Sequence, residues 1–187
     1  YMTHTHIPKN ILVTSGAGFI STNFVHYWLK EYSTNRVVVL DVLTYAGNAE
    51  NLKSAEESLS FRFVCADILD SENAIKLFRE EKIDAIIYFA AESHVDRLIT
   101  DPGAFIETNV KGTHEVLKAA KIYWLDKNPE MEHLFQHIST DEVYGALKPN
   151  EPPFREDTPN SPYAASKASS YFFVRSYQET YGLNTNI

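Results

Sequence analysis

Apolar runs of strand length alternate along this chain with longer segments in which apolar positions recur every three or four residues. Such alternation is typical of a parallel sheet whose two faces are covered by helices. Five runs are nearly all apolar and rich in β-branched or aromatic side chains, as strands buried on both faces should be. These predicted strands are Asn10 to Thr14, Arg36 to Asp41, Phe61 to Asp67, Ala85 to Ala90 and Leu134 to Ser139.

Segments of helical period fill the gaps between these strands. In the first, the apolar side chains between Phe24 and Leu29 form a stripe at three- and four-residue spacing. The last has Ser161 placed to cap it and Pro162 in its first turn, where a missing N–H costs nothing. The four predicted helices run from about Phe19 to Tyr32, Ser71 to Glu80, Ala104 to Leu125 and Pro162 to Tyr181.

The order of these elements predicts a Rossmann-like, doubly wound α/β fold. We expect one incomplete dinucleotide-binding domain over residues 10–187, preceded by a disordered tail over residues 1–9. The proline-rich stretch from Lys148 to Asn160 should be an irregular loop at the carboxyl ends of the strands, where open parallel sheets bind ligands. Leu183 to Ile187 resembles the opening of a sixth strand with nothing after it, so the last strands of the sheet are expected to be absent.

Composition excludes several classes of protein. The 187 residues are 44% hydrophobic and 22% charged, which is enough apolar content for one globular core. With 17 basic and 25 acidic side chains the net charge is −8, so no overall positive field would hold a nucleic-acid backbone. The single cysteine, Cys65, cannot form an internal disulfide, and no apolar run approaches the roughly 20 residues of a membrane span. We expect a cytoplasmic protein with no membrane or nucleic-acid partner and, since His4 and His6 are too few ligands, no metal.

The segment from Thr14 to Ser21 joins the first strand to the first helix, which is where a dinucleotide fingerprint is found. Read as G-x-G-x-x-G, Gly16 and Gly18 fit and Ser21 departs; read as G-x-x-G-x-x-G, Ser15 and Ser21 both depart. A β-carbon at Ser15 with a positive φ would cost about 1 to 2 kcal/mol and would weaken cofactor binding roughly tenfold. The alternative is a glycine-rich turn that binds no ligand.

Asp41 ends the second strand, 23 positions after Gly18. This is near the spacing of a carboxylate that accepts hydrogen bonds from a ribose hydroxyl in dinucleotide-binding units. Because a carboxylate also repels a 2′-phosphate, the predicted cofactor is NAD rather than NADP. The alternative is an ordinary acid at the end of a strand.

Tyr163 and Lys167 lie four positions apart at the start of the last predicted helix, so both side chains project from one face. An ammonium group beside a phenol favours the phenolate, which would lower the pKa of Tyr163 from about 10 toward neutrality. Tyr163 is therefore a candidate base. A tyrosine and a lysine four apart are also common on solvated helices.

The fifth predicted strand ends in two hydroxyls and two carboxylates, from Ser139 to Glu142. Thr140, Asp141 and Glu142 could supply an acid, a base and hydrogen bonds to a sugar. An extended backbone would aim Asp141 away from its two neighbours, so the chain must turn here if all three serve one site. The alternative is a solvated strand end.

Four segments together carry a family resemblance: Thr14 to Ser21, Ala90 to Arg97, Ser139 to Gly145 and Ser161 to Ser169. They resemble the nucleotide-sugar 4,6-dehydratases of the extended short-chain dehydrogenase/reductase superfamily. The likeness runs from about Asn10 to the last residue, and it implies a smaller C-terminal substrate domain that is expected to be absent here. Its most specific part is the run from Thr140 to Glu142, because related sugar epimerases usually carry other residues at the two acids.

The resemblance implies NAD-dependent loss of water from a nucleotide-diphosphate glucose, which gives the 4-keto-6-deoxy sugar. Tyr163 would take the proton of the sugar 4-hydroxyl, assisted by Thr140, while hydride passes from C4 to NAD. Glu142 would then remove the C5 hydrogen and Asp141 would protonate the departing C6 hydroxyl. Return of the hydride to C6 would regenerate the cofactor.

The same resemblance implies a cofactor site, a substrate contact and a homodimer. The NAD site would be lined by Gly16, Gly18, Phe19, Ile20, Asp41, Leu43, Thr44, Asp67, Ile68, Ala90, Ala91, Thr108, Tyr163 and Lys167. Ser93 and Thr140 would touch the sugar, whereas His94 is either a ligand contact or a histidine with a structural hydrogen bond. The helices over 104–125 and 162–181 would pair across a homodimer, or else pack inside one subunit.

Three functions stay open on the sequence. A dehydratase is supported by the presence of all five candidate catalytic residues, Thr140, Asp141, Glu142, Tyr163 and Lys167. A non-catalytic remnant, either an NAD-binding or a dimer-forming module, is supported by Ser15, Ser21 and the early end of the chain. A nucleotide-sugar epimerase is the third.

Overall fold

A computed structural model describes residues 6–94, 103–145 and 161–187. Six parallel strands form one sheet in the order β3-β2-β1-β4-β5-β6. They are β1 (Asn10–Thr14), β2 (Arg36–Asp41), β3 (Phe61–Cys65), β4 (Ala85–Tyr88), β5 (Leu134–His137) and β6 (Thr185–Asn186). The predicted doubly wound parallel sheet is confirmed. The strand order reverses between β1 and β4, so a crevice opens at the carboxyl ends of these two strands.

Four helical segments pack on the sheet. They are α1 (Phe19–Glu31), α2 (Ser71–Glu81), α3 (helical throughout 103–127) and α4 (Pro162–Tyr181). Within α3, the stretches Ile106–Gly112 and Lys121–Lys127 have the wider hydrogen bonding of a π-helix. Short 3₁₀ turns lie at Ala49–Leu52, Ala55–Glu57 and Asp141–Tyr144.

Three strands end two residues earlier than their apolar runs predict: β3 at Cys65, β4 at Tyr88 and β5 at His137. After β4 the cause is visible. The backbone amides of Phe89 and Ala90 both donate to the hydroxyl of Thr14, at 3.1 and 3.0 Å. The chain therefore leaves the sheet where the Thr14 hydroxyl replaces a strand carbonyl as the hydrogen-bond acceptor. The pattern of apolar residues in the sequence gives no sign of this contact.

The two faces of the sheet bury separate clusters, because successive strand residues point to opposite sides. Leu12 of β1 packs in one cluster with residues of α2, α3 and α4, while Ile11 and Val13 pack in the other with Val25 of α1. Val25 is fully buried, and the rest of the predicted α1 stripe is half-buried around it. The sequence prediction of which side of α1 faces the core is therefore confirmed.

Part of the expected N-terminal tail is attached to the sheet. Residues 1–5 lie outside the described part of the chain. The amide of Lys9 donates to the Asp84 carboxylate at 2.9 Å, and Asn35 donates to the carbonyl of Pro8 at 2.7 Å. Over residues 6–9 the expectation of disorder is wrong, because polar side chains far along the sequence supply partners for this backbone.

Two other sequence features lie outside the described residues: the loop predicted over 148–160 and the segment 95–97 of one family motif. Among the residues that are described, no helix is both long and apolar enough to cross a membrane.

Candidate active site

The turn between β1 and α1 begins with a serine in the left-handed region, as the sequence predicts. Ser15 has φ = 50°, and its carbonyl accepts the N–H of Gly18 at 3.0 Å. A β-carbon there costs about 1 to 2 kcal/mol. Gly16 is needed for packing, because a β-carbon at this position would lie 2.6 Å from a methyl group of Val39 on β2.

Ser21 fits its position through its hydroxyl. The side chain is buried, and it donates to the carbonyl of Ser15 and lies 3.3 Å from that of Gly18. The hydroxyl of Ser21 therefore finds its hydrogen-bond acceptors, two backbone carbonyls, inside the turn. A glycine at this position would make neither contact. The modest harm to cofactor binding expected of a serine here stays a prediction.

Asp41 fastens the glycine-rich turn to the loop that follows β2. One carboxylate oxygen accepts the N–H of Ala17 at 3.0 Å, and the other accepts the N–H of Leu43 at 2.8 Å. The amide of Asn48 donates to the Ala17 carbonyl at 3.0 Å, which closes the same loop onto the turn. Asp41 thus has a structural role besides the ribose contact expected of it.

A cleft of about 400 Å³ lies at the carboxyl ends of β1, β4 and β5. Nine predicted site residues line it: Gly18, Phe19, Ile20, Asp41, Thr44, Ala91, Ser93, Tyr163 and Lys167. The sequence analysis missed Ala46, Gly47, Phe89, Ile138 and Ser139, which also line it. All five lie within a few residues after a strand end, and this position was the signal that could have found them.

Six other predicted cofactor residues are not part of this lining: Gly16, Leu43, Asp67, Ile68, Ala90 and Thr108. Ile68 and Ala90 are buried in the core cluster that also contains Leu12. Asp67 is exposed, and its carboxylate accepts the N–H of Leu69 at 2.9 Å. Their role toward a cofactor stays a prediction.

Tyr163 and Lys167 lie on the first two turns of α4, and both face the cleft. Ser161 caps this helix as predicted, accepting the N–H of Ala164 at 3.0 Å. Lys167 is only 4% exposed and donates to the carbonyl of Ile138 at 2.9 Å. Burial lowers the pKa of Lys167 to about 8.

The electrostatic surroundings of Tyr163 differ from the sequence prediction. Burial raises the pKa of Tyr163, the charge of Glu142 raises it further, and a hydrogen bond with Thr140 opposes both. The expected lowering of this pKa by Lys167 is therefore wrong for this structure. The physical reason is that the ammonium group is directed to a backbone carbonyl, while carboxylates face the phenol.

The chain turns after β5, as a shared site for the two acids requires. Thr140 is the N-cap of the 3₁₀ turn Asp141–Tyr144: its hydroxyl accepts the N–H of Glu142 and donates to Asp141, both at 3.3 Å. A hydrogen-bond interaction with Thr140 also acts on the pKa of Tyr163 and lowers it. Thr140, Asp141 and Glu142 are not part of the cleft lining; they follow Ser139, which is, and all three act on the pKa of the cleft residue Tyr163. Both acids are exposed.

Asn109 of α3 supports the site and was missed by the sequence analysis. It is 1% exposed, accepts the N–H of Glu92 at 2.7 Å, and donates to the carbonyl of Glu92 and to Ser166 at 3.0 and 2.8 Å. Ser166 in turn donates to the carbonyl of Tyr163 at 2.7 Å. Asn109 therefore ties the loop after β4 to α4; a polar residue on a buried helix face was the available signal.

Within the described residues, no three histidine, cysteine, aspartate or glutamate side chains are grouped to hold a metal ion. The arrangement offers proton donors and acceptors beside an open cleft. Its chemistry is that of general acids and bases.

Comparison with known proteins places this geometry in context. A profile of the family described as GDP-mannose 4,6 dehydratase matches residues 12–187. The dTDP-glucose 4,6-dehydratase of Salmonella typhimurium is 48% identical over 94% of this chain and 52% of its own length. That of Xanthomonas campestris is 51% identical over 92% of this chain and 50% of its own length. The chain spans about half the length of the curated relatives it matches.

Solved structures give the same picture. DesIV of Streptomyces venezuelae, a dTDP-glucose 4,6-dehydratase crystallised with NAD and TYD, is 42% identical, with a TM-score of 0.82 over 94% of this chain and 53% of its own. The UDP-glucose 4-epimerase of Thermus thermophilus, crystallised with NAD, is 30% identical, with a TM-score of 0.77 over the same shares.

Proposed function

The chain belongs to the GDP-mannose 4,6 dehydratase family, and from this premise we propose that it carries the cofactor site and the catalytic residues of a dTDP-glucose 4,6-dehydratase. The observation that carries the proposal is that Tyr163 lines the cleft while Thr140 and Glu142, joined by a hydrogen bond in the turn after Ser139, are near enough to act on its pKa. The reaction is conversion of dTDP-glucose into its 4-keto-6-deoxy product with net loss of water. Identities of 48% and 51% to dehydratases, against 30% to an epimerase, support this choice.

The cleft fits NAD. Gly18 starts α1 without a side-chain cap, and the first turn holds no acid, so its backbone N–H groups can receive a pyrophosphate. A β-carbon at Gly18 would lie 3.2 Å from the Ser15 carbonyl, so a larger residue would crowd the turn. Asp41 would bind a ribose and reject a 2′-phosphate. When bound, NAD supplies a hydride acceptor that the overall reaction leaves unchanged.

Tyr163 and Thr140 act on the 4-hydroxyl of the sugar. Thr140 and Tyr163 interact with each other, so Thr140 can orient a sugar hydroxyl placed beside Tyr163. Tyr163 accepts the proton of this hydroxyl in its phenolate form, so the phenol must first lose its own proton when the ligands bind. Lys167, held by the Ile138 carbonyl, places a positive charge in the floor of the same cleft. Ser93 lines the cleft from the loop after β4 and offers a further hydroxyl to the sugar.

Asp141 and Glu142 handle the protons of the dehydration. In this proposal Glu142 removes the C5 proton, and Asp141 protonates the C6 hydroxyl that departs as water. The 3₁₀ turn places the two acids at adjacent positions directly after Thr140, which caps the turn. Both are exposed, so no rearrangement of the core is needed for the sugar to reach them.

We also propose a homodimer through α3 and α4. Phe172 is 49% exposed and, with Ser169, Phe173 and Ser176, forms a shallow apolar patch on α4. Burying such a patch against a second copy removes it from water. The family resemblance assigns the same two helices to a dimer.

We further propose a cytoplasmic location, because Cys65 is an exposed free thiol and the cytoplasm keeps thiols reduced.

A second candidate function is a non-catalytic module that binds NAD or forms dimers. The positive φ of Ser15, in the turn that would face the cofactor, favours it. The two candidates differ in one measurable property, which is turnover.

Incubation of the chain with NAD and dTDP-glucose tests the proposal, with mass spectrometry to detect loss of water from the sugar nucleotide. Glu142→Gln should lower kcat by about 10² to 10⁴ and leave NAD affinity unchanged. Glu130→Gln changes an exposed acid before the amino end of β5, at the opposite edge of the sheet from Tyr163; it is the matched control and should leave turnover unchanged. A folded chain that binds NAD without turnover would support the non-catalytic module. A folded chain that binds no NAD would refute both the dehydratase and an NAD-binding module.

A further inference from the structure

The cleft has two walls that come from different strand ends. The loop after β2 contributes Thr44, Ala46 and Gly47, and the loop after β4 contributes Ala91 and Ser93. Between these lining residues, each loop holds one side chain that reaches toward the other loop. The Tyr45 hydroxyl donates to the Glu92 carboxylate, and we name this contact the strap.

Glu92 also shapes its own loop. The carboxylate oxygen that accepts from Tyr45 accepts the backbone N–H groups of Ser93 and His94, each at 3.0 Å. The rings of Tyr45 and His94 meet edge to face with centroids 5.3 Å apart. The position of Ser93 in the wall therefore depends on the same carboxylate that forms the strap.

Both ends of the strap are anchored in the fold. The loop that carries Tyr45 is held to the glycine-rich turn by Asp41 and by the bond from Asn48 to the Ala17 carbonyl. The backbone of Glu92 is held on both sides by Asn109. Because both loops are held in place by other hydrogen bonds, the contact between Tyr45 and Glu92 fixes the distance between the loops.

The strap lies on the solvent side of the cleft. Tyr45 is 47% exposed, and its cleft-lining neighbours Thr44 and Ala46 are exposed too, so the contact lies at the open mouth of the cleft. A dinucleotide held between the two walls would have to pass this contact when it leaves. A hydrogen bond from a hydroxyl to a carboxylate is among the stronger ones in proteins, so the need to open it slows that passage.

We propose that Tyr45 and Glu92 are positioning residues that fix the width of the cleft and set the rate at which NAD dissociates. The inference rests on the proposed function, since it takes NAD as the occupant. It adds a reason for slow release: a reaction that returns its cofactor to the starting state gains nothing from exchanging it between turnovers.

The test is the dissociation rate of NADH, followed by its fluorescence while excess NAD displaces it. Tyr45→Phe keeps the ring and removes the strap, and it should speed dissociation about tenfold. Glu92→Gln should act in the same direction, and the double variant should be no faster than the faster single variant, because both remove one contact. Tyr27→Phe, which removes an exposed hydroxyl outside the cleft lining, should dissociate like the unmodified chain.

Hydrogen exchange of the Ser93 and His94 amides in the cofactor-free chain gives a second readout. Both should exchange faster in Tyr45→Phe with circular dichroism unchanged. If Tyr45→Phe changes neither the dissociation rate of NADH nor the exchange of these amides, the proposed role of the strap is refuted. It is also refuted if the two substitutions speed dissociation independently, so that their effects multiply in the double variant. A chain that binds no NADH would instead overturn the proposed function and with it the cofactor role of the strap, which is a different observation from an unchanged rate.

Discussion

We predict that replacing Lys167 with methionine stabilises the fold at pH 7 while abolishing the proposed reaction. The Lys167 side chain is 4% exposed, and its ammonium group donates to the carbonyl of Ile138 at 2.9 Å. Burial lowers the pKa of Lys167 to about 8 from the ordinary value of 10.5. Keeping the charge in this place is therefore costly for the folded state.

The size of the cost follows from the two pKa values. Since a tenfold change in proton affinity is about 1.4 kcal/mol, the protonated lysine destabilises the fold by about 3 kcal/mol. Methionine fills a similar volume without a charge but leaves the Ile138 carbonyl without its donor, which costs about 1 kcal/mol. The net gain expected at pH 7 is about 2 kcal/mol in the free energy of unfolding.

The pH dependence of the stability difference shows whether the charge of Lys167 is its cause. A lysine whose pKa is lower in the folded state loses its proton there first, so between pH 8 and 10.5 the unfolded chain binds more protons. The stability of the unmodified chain therefore rises with pH through this window, whereas the variant has no such gain. The advantage of Lys167→Met should be complete below pH 8 and should vanish near pH 10.

Urea denaturation at several pH values, followed by tryptophan fluorescence, measures the difference. Groups that titrate in both proteins cancel when the two curves are subtracted. Lys30→Met removes an exposed lysine from α1 and should show no pH-dependent difference. A Lys167→Met variant that is less stable at pH 7, or whose advantage does not change with pH, would refute the assignment of a buried, destabilising ammonium.

Three smaller predictions concern the free energy of unfolding, measured by denaturation. Ser15→Gly should raise it by up to about 1 kcal/mol, because φ = 50° is already strained without a ligand; a loss would contradict that. Lys82 is the left-handed C-cap of α2, so Lys82→Gly should raise the free energy of unfolding by about 1 kcal/mol. Lys82→Ala keeps a β-carbon there and should leave it unchanged. Hydrogen bonds and charge from Arg36 and Arg62 lower the pKa of Glu81. Glu81→Gln should therefore cost about 1 kcal/mol at pH 7, and this difference should disappear as pH falls below 4.5 through the folded-state pKa.

The elements that the sequence predicts most accurately are those bounded by local signals. α4 begins and ends at the predicted residues because Ser161 and Pro162 start it and Gly182 ends it in the left-handed region. β1 and β2 match because they are buried along nearly their whole length. These signals depend only on neighbours in the sequence.

The remaining errors arise from contacts between distant residues. The end of β4 depends on Thr14, which lies 75 positions before Phe89. Asn109 organises the site through Glu92 and Ser166, 17 and 57 positions away. Helical spacing places Lys167 on the same face as Tyr163, but it does not show that the ammonium group bonds to a strand carbonyl.

The charges around the cleft set the order in which its groups titrate. Burial, together with the nearby charge of Lys167, lowers the pKa of His137 to about 3, so this buried ring is neutral and adds no second cation. Lys167 loses its proton near pH 8, while the pKa of Tyr163 lies above its ordinary value because of burial and Glu142. As pH rises, the ammonium is therefore lost before the phenol ionises. The mildly alkaline step of any pH profile of the ligand-free site belongs to Lys167, and through that range Tyr163 keeps its proton.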